Sequence, residues 1–383
     1  MKHNEYTICK IKIPKVKYLH ILWHNGVLFN QQFVDMISGE NEFFDLNEHV
    51  FITPHLDLYK VINHIKNVFF VPDGNLIKKY GELADWIFVH SLNCKWSTFV
   101  FTPKRYANKV IWRTWGHDVV GKRIPHGSKI DNAIRSVIRY PIVKLHQHKV
   151  SQFYAVGVAN DVDTIKINSI WKKMRIFQIS YSYAPGRYEI MNNLLKQEKA
   201  NGNGQVHVMV GHSSSEGDRH IEILEKIRKF ANKNIIIHLF LYGAIESPYV
   251  KKVIKTAHEY FYENVVVHSE FVPYEDFAKC LLQMDVAILA GKTSSALGTL
   301  QALLFLRKKV YVDSKGDIAN AIRYNSILPY TIDEIAKTDF VEFCKNDVLI
   351  ANSLKETLGQ IQSRDESCLE FLHLLECLNK DGQ

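Results

Sequence analysis

The chain has 383 residues, more than one compact core of ordinary size organises, and 46% apolar with 23% charged residues is the composition of folded domains. Basic residues number 48 against 40 acidic ones, a net charge of +8, and the apolar share argues against a disordered chain. No run approaches the ~18 or more apolar residues that span a bilayer. Charges throughout the first 17 residues read against a signal peptide. The six cysteines lie far apart with no CxxC pair and no zinc spacing, as free thiols in a reducing compartment would.

In chain order, short runs rich in β-branched and aromatic residues predict strands at Tyr18–His24, Val50–Thr53, Asn67–Val71, Trp86–Ser91, Lys109–Trp115 and Phe153–Val158. Each is apolar on both faces, as a buried parallel strand is. A second series follows at Val206–Val210, Ile235–Tyr242, Val265–His268, Val286–Leu289 and Val310–Val312. Helical patterns separate these at Asp218–Phe230, Pro248–Tyr262, Tyr274–Met284 and Ser295–Phe305. Strand and helix alternating in two series predict two doubly wound α/β domains, residues 1–178 and 179–340. A mixed-charge helical segment, 341–383, is expected to pack back across both.

The charge is uneven. Between Lys95 and Lys149 stand twelve basic residues and only two acids, Asp118 and Asp131, so the remainder is slightly acidic. Such a field attracts an anionic ligand or surface. Ile130–Val150 alternates apolar and basic residues at helical spacing, interrupted by Pro141, which fits an interfacial helix on an anionic membrane or a core helix with a solvated basic face. No nucleic-acid module is present, and nucleic acid is not an expected partner.

Two segments of the second domain carry phosphate chemistry. In Val208–His220 a strand runs into Gly211, then His212, Ser213, Ser214 and Ser215, then a helix led by Gly217 or Asp218. Glycine admits an anion to the backbone, and hydroxyls and helix-start amides receive it. In Gly291–Gln301 another strand gives way to Thr293, Ser294 and Ser295, which can cap a helix that Gly298 lets pack closely, with Thr299 following. Both also read as ordinary strand-to-helix loops with polar caps. Glu270 could hydrogen-bond donor hydroxyls or cap the helix near Glu275.

In the first domain, Val110–Gly121 ends a strand at Trp115, His117 and Asp118, where a carboxylate or imidazole could serve as general base. His24 and Asn25 follow the first strand, and His90 and Asn93 the fourth. Asp161-Val162-Asp163 reads as a helix start rather than a metal site, and His146-Gln147-His148 as helix surface. No metal or cofactor is expected.

The architecture suits a two-domain (GT-B) glycosyltransferase with a cleft between the carboxyl ends of two sheets, or a soluble relative such as a nucleotide-sugar epimerase. A non-catalytic glycan- or nucleotide-binding scaffold is the alternative of another class. Many retaining two-domain transferases carry paired glutamates where this chain has Thr293 and Gln301.

Taken together, His20 through Asn30, Trp112 through Asp118 (WxxWGxD), Tyr140-Pro141, Val210-Gly211 with Ser213 and His220, Glu270, and Gly298-Thr299-Leu300 resemble the bacterial Fuc4NAc transferases of enterobacterial common antigen synthesis. The resemblance covers about Tyr18 to Tyr330. It implies a metal-independent transferase taking a dTDP-activated amino-deoxy sugar to a polyprenyl-pyrophosphate-linked acceptor at the cytoplasmic face of the inner membrane. Asp118 carries over as a cleft acid and Asn25 replaces a family aspartate. His212 replaces an asparagine, and Ser215-Glu216-Gly217 also departs from the pattern. The reading places donor binding at Gly211–Ser215, Glu270, Ser294, Ser295, Gly298 and Thr299. The acceptor falls to Asn25, Asn30, His90, Asn93 and Trp115, with Asp118, His117 or His24 as base.

Overall fold

The computed structural model describes residues 13–23, 26–39, 43–72, 74–92, 101–115, 118–119, 141–179, 186–196, 204–242, 245–293 and 296–382. The chain divides into one unit of Met1–Ala184 with Arg364–Gln383 and a second of Pro185–Ser363. The division therefore falls a few residues beyond the expected boundary at 178. The C-terminal segment, expected to pack back across both domains, is shared between the units, with Arg364–Gln383 in the first and the residues before it in the second.

The first unit holds seven strands: β1 (Val16–Leu22), β2 (His49–Thr53), β3 (Val68–Phe70), β4 (Ala84–His90), β5 (Val110–Arg113), β6 (Ala155–Val158) and β7 (Ile176–Gln178). Their order is β3-β2-β1-β4-β5-β6-β7, and neighbours pair in parallel. The order reverses direction between β1 and β4, so the crevice of this unit opens at the carboxyl ends of those strands. One face is covered by the helix Val27–Ser38, through Phe33, Val34 and Ile37, and by the last helix, Arg364–Asp381, through Phe371, Leu374 and Leu378. That last helix is also held by the Tyr18 hydroxyl donating to Asn379 Oδ1 at 2.9 Å and by an Arg175–Asp381 ion pair joined by Tyr154.

The second unit holds β8 (Val206–Val210), β9 (Ile235–Phe240), β10 (Val265–His268), β11 (Val286–Leu289), β12 (Lys309–Val312) and β13 (Tyr330–Thr331), in the order β10-β9-β8-β11-β12-β13. These strands are again all parallel, with the switch point between β8 and β11. The sequence does not predict β7 or β13. They are edge strands of three and two residues, too short to form an apolar run. The helix expected over Asp218–Phe230 is broken: a 3₁₀ turn (Glu216–Asp218), an α-helix (His220–Ile227) and a second 3₁₀ turn (Arg228–Phe230). Arg219 separates the first two in the left-handed conformation (φ 57°).

Each sheet carries a row of hydrogen-bonded histidines across three neighbouring strands. In the first, His20 on β1 lies 2.9 Å from His49 on β2 and 3.2 Å from His90 on β4. In the second, His238 on β9 lies 2.9 Å from His207 on β8 and 3.1 Å from His268 on β10. Burial disfavours the charged imidazole. His20 and His90 are held well below the ordinary value, His49 at about 4 and His238 at about 3. No described helix is long and apolar enough to cross a membrane.

Candidate functional site

At the carboxyl end of β8 the backbone turns left-handed at Gly211 (φ 70°), and its amide donates to Ile288 O of β11 at 3.0 Å. A Cβ on Gly211 would stand 2.2 Å from His220 Nε2, so the glycine is demanded by the protein's own packing as well as by φ. His220 opens the helix behind the loop. Its Nδ1 lies 3.1 Å from the Tyr249 hydroxyl, and burial holds the ring at about 4, against the pull of Asp218 in the other direction.

The loop closes on Asp218, which is 1% exposed. Its Oδ2 accepts from the His212 amide (3.1 Å), the Ser213 amide (2.9 Å) and the Ser213 hydroxyl (2.9 Å), and lies 3.0 Å from His212 Nδ1. The Ser214 hydroxyl donates to Tyr242 O at 3.1 Å, and Ser215 Oγ accepts from the Gly217 amide at 3.1 Å. The His212 and Ser213 amides, and two of the three hydroxyls expected to receive a phosphate, are therefore engaged with the protein itself. Arg219 ties the same end of the sheet together. It pairs with Glu222 and with Asp313 after β12, and donates to Ala290 O after β11 at 3.3 Å.

The second expected loop lies beside the first, because β8 and β11 are adjacent. Ser294 and Ser295 fall outside the described residues. The helix Leu297–Phe305 starts from Ala296 with no side-chain cap. Gly298 does not serve close packing, since a Cβ there would meet nothing within 4 Å. Thr299 follows it in the first turn. Glu270 is exposed and does not cap the helix Tyr274–Gln283, which starts from Pro273 without a side-chain cap.

Three groups at this end of the sheet escape the sequence reading. Phe271 is 82% exposed, with its ring stacked on Tyr242 at 5.1 Å. Lys292 stands exposed just after β11. Arg187 donates through Nε to the Tyr274 hydroxyl at 2.9 Å and through Nη2 to Gly298 O at 3.1 Å. Phe271 is visible in the sequence as an aromatic side chain between a strand end and a proline. Arg187 is distant in sequence, and no spacing rule reaches it.

In the first unit, Asp118 joins the ends of β4 and β5. Its Oδ2 accepts from the Leu92 amide (2.8 Å) and the Trp112 indole (3.0 Å), and its Oδ1 from the Trp115 amide (2.8 Å). The carboxylate is held by its own loop. An Asp118→Asn variant turns one acceptor into a donor against N–H groups, and leaving a buried donor unmet costs on the order of 1–3 kcal/mol. We expect its melting point to fall by several degrees together with activity. A residue serving only as base would lose turnover and keep its melting point.

His24, Asn25, Asn93 and His117 lie outside the described residues. Asn30 and His90, expected to meet an acceptor, are fully buried, Asn30 donating to Gly26 O at 3.1 Å. Trp115 is partly exposed, edge-on to the exposed Phe29 at 5.1 Å. Asp161 and Asp163 open the helix Asp161–Ile170, capped by Asn160. Among the described residues no His/Cys/Asp/Glu cluster could hold a metal ion. The basic stretch is only partly available to a partner. Arg113 is buried, Lys109 donates to Ala84 O at 2.9 Å and Lys149 to Thr102 O at 2.7 Å, while residues 93–100 and 120–140 lie outside the described set.

Both units are thus Rossmann-like, each with polar loops at the carboxyl ends of its central strands. Solved glycosyltransferase structures share the arrangement. A glycosyltransferase from Rickettsia africae matches at 11% identity with a TM-score of 0.59, over 96% of this chain and 99% of that one. Anabaena Alr3699/HepE, solved with UDP, matches at 11% identity and 0.61, over 94% and 100%. An O-GlcNAc transferase from Thermobaculum terrenum matches at 12% identity and 0.53, over 97% and 68%. No curated protein sequence matches significantly. The model of one family, described as 4-alpha-L-fucosyltransferase, glycosyl transferase group 56, matches residues 75–351, well over half of the chain. The chain is a glycosyltransferase with two Rossmann-like domains of the GT-B type, and it belongs to glycosyl transferase group 56, the 4-alpha-L-fucosyltransferase family.

Proposed function

We propose that the protein transfers an amino-deoxy sugar, dTDP-Fuc4NAc or a close relative, from its nucleotide diphosphate to a polyprenyl-pyrophosphate-linked glycan during surface-polysaccharide synthesis. The observation that carries the donor half is the adjacency of the Gly211–Ser215 loop and the residues that follow β11, Ala290–Thr293, at the β8/β11 switch point, where open α/β sheets bind ligands. The amides at the start of the helix Leu297–Phe305 face an anion favourably, and Lys292 and Arg187 add positive charge. The exposed Phe271 ring offers a nucleobase a stacking surface. Helix-start amides and cationic side chains stabilise the charge that grows on the departing diphosphate.

In the first unit the acceptor side is assigned to the β1/β4 crevice, with Asp118 ordering its rim. Deprotonation of the acceptor hydroxyl falls to His117 or His24, which follow β5 and β1 in the sequence. The basic side chains of residues 95–149 attract the anionic acceptor and membrane surface.

The test is a panel of nucleotide sugars in a thermal-shift assay, followed by transfer to a polyprenyl-pyrophosphate glycan on anionic vesicles. Stabilisation by one donor, vesicle co-sedimentation and sugar transfer are expected. Turnover of the donor with no lipid dependence and no vesicle binding points instead to a soluble epimerase-like enzyme. At Gly298 the two roles of a glycine separate. Gly298→Ala is expected to leave the melting point unchanged or raise it slightly, because alanine favours a helix by up to ~1 kcal/mol and fills open space. Its donor KM is expected to rise, because the methyl occupies that space; steady-state kinetics against donor reads this.

A further inference from the structure

The Gly211–Ser215 loop reaches an anion through a side chain and not through its own amides. The His212 and Ser213 amides and the Ser213 hydroxyl all converge on Asp218 Oδ2. Burial alone would raise the Asp218 carboxyl, but the hydrogen bonds and charge of His212 override it and hold it below the ordinary carboxylate value. Asp218 is therefore a carboxylate built into the loop, holding the donors that would otherwise be open to an anion. The Ser214 hydroxyl is turned to Tyr242 O, and the Arg219 charge is balanced by Glu222 and Asp313.

What remains is the His212 ring. Its Nδ1 stands 3.0 Å from Asp218 Oδ2, so Nδ1 carries a proton and donates it. Its Nε2 has no partner among the described residues, and the side chain is 14% exposed at the carboxyl end of β8. We propose that His212, oriented by Asp218, is the phosphate ligand of this loop: its Nδ1 is turned to Asp218 and its Nε2 hydrogen-bonds the terminal phosphate of a nucleoside diphosphate. Asp218 is a positioning residue, fixing the ring while keeping the loop amides from the ligand. The inference rests on the reading of this loop as part of the donor site.

Calorimetric titration of the full-length protein with dTDP, UDP and GDP, and with the matching monophosphates, tests it. For the base that binds, the wild type is expected to favour diphosphate over monophosphate by at least tenfold. His212→Gln should lose about tenfold or more in diphosphate affinity, the worth of one charge-assisted hydrogen bond, and keep its monophosphate affinity. Asp218→Asn should reduce the same ratio, and the double variant should lose no more than His212→Gln alone. Should Asp218→Asn fail to fold, His212→Gln decides the matter by itself. A His212→Gln protein that keeps the wild-type diphosphate-to-monophosphate ratio overturns the inference and leaves the donor site standing. A wild type that binds none of these nucleotides overturns the donor-site reading, and the inference with it.

Discussion

Lowering the pH from 6.5 to 5 is expected to remove much of the protein's folding stability, without any change in the charge of its carboxylates being needed. Burial keeps His20, His49 and His90 neutral in the first unit, and His220 and His238 in the second. In the unfolded chain these rings titrate near 6.5, so below that pH the unfolded state binds more protons and stability falls as pH falls. The decline begins near 6.5 and is complete for His49 and His220 at about 4 and for His238 at about 3. Each ring contributes about 1.4 kcal/mol per pH unit inside its window. His49, His220 and His238 together thus amount to about 4 kcal/mol per pH unit across the two domains, against a typical domain stability of about 5–15 kcal/mol, and the lowered His20 and His90 act in the same direction. Urea denaturation at pH 7.5, 6 and 5 checks this, and a midpoint unchanged down to pH 5 would contradict it. His238→Gln keeps a hydrogen-bonding bridge between His207 and His268 and is expected to reduce the slope of the second unit by about one proton.

The second large effect is expected at Gly211. Alanine there must adopt a positive φ and place its methyl 2.2 Å from His220 Nε2, in a ring packed under the loop and anchored on Tyr249. A left-handed conformation costs a non-glycine residue about 1–2 kcal/mol, and forcing an extra methyl into packed surroundings typically costs about 1–3 kcal/mol more. Gly211→Ala should therefore lose about 2–5 kcal/mol in chemical denaturation, together with nucleotide binding, because the loop cannot keep its path. His220→Ala in the same background removes the clash and should recover part of the loss. A Gly211→Ala protein as stable as the wild type would show that the loop does not close over His220.

The alternation of the chain makes the two sheets legible. Apart from β7 and β13, the strands are runs such as Val286–Leu289, whose β-branched, two-faced apolarity marks a buried parallel strand. The edge strand Ile176–Gln178 is partly exposed and looks like a loop end, and the last helix hides its apolar face among charges. Site chemistry is harder to read because it depends on register. Nothing in the sequence says that His20, His49 and His90 touch, since parallel pairing alone brings residues from three distant segments together. The two aspartates are instructive. In the sequence Asp118 looks like a base and Asp218 like the head of a helix, yet each gathers several donors and organises a loop at a strand's carboxyl end. Both positions are marked by an acid just past a strand, and only hydrogen-bond partners separate an acid that reacts from one that holds the loop. Likewise Gly211 looks like an opening for an anion, whereas its neighbour His220 requires it.

If the protein grips its donor as proposed, the diphosphate lies over the β8/β11 switch point of the second unit. Hydrogen exchange followed by mass spectrometry, with and without whichever of dTDP, UDP or GDP raises the melting point, tests this most directly. Slowed exchange in peptides spanning Gly211–His220 and Ala290–Thr299, with little change around Asp118, is the predicted result. Protection confined to the first unit, or absent from both loops while the nucleotide is bound, would contradict it.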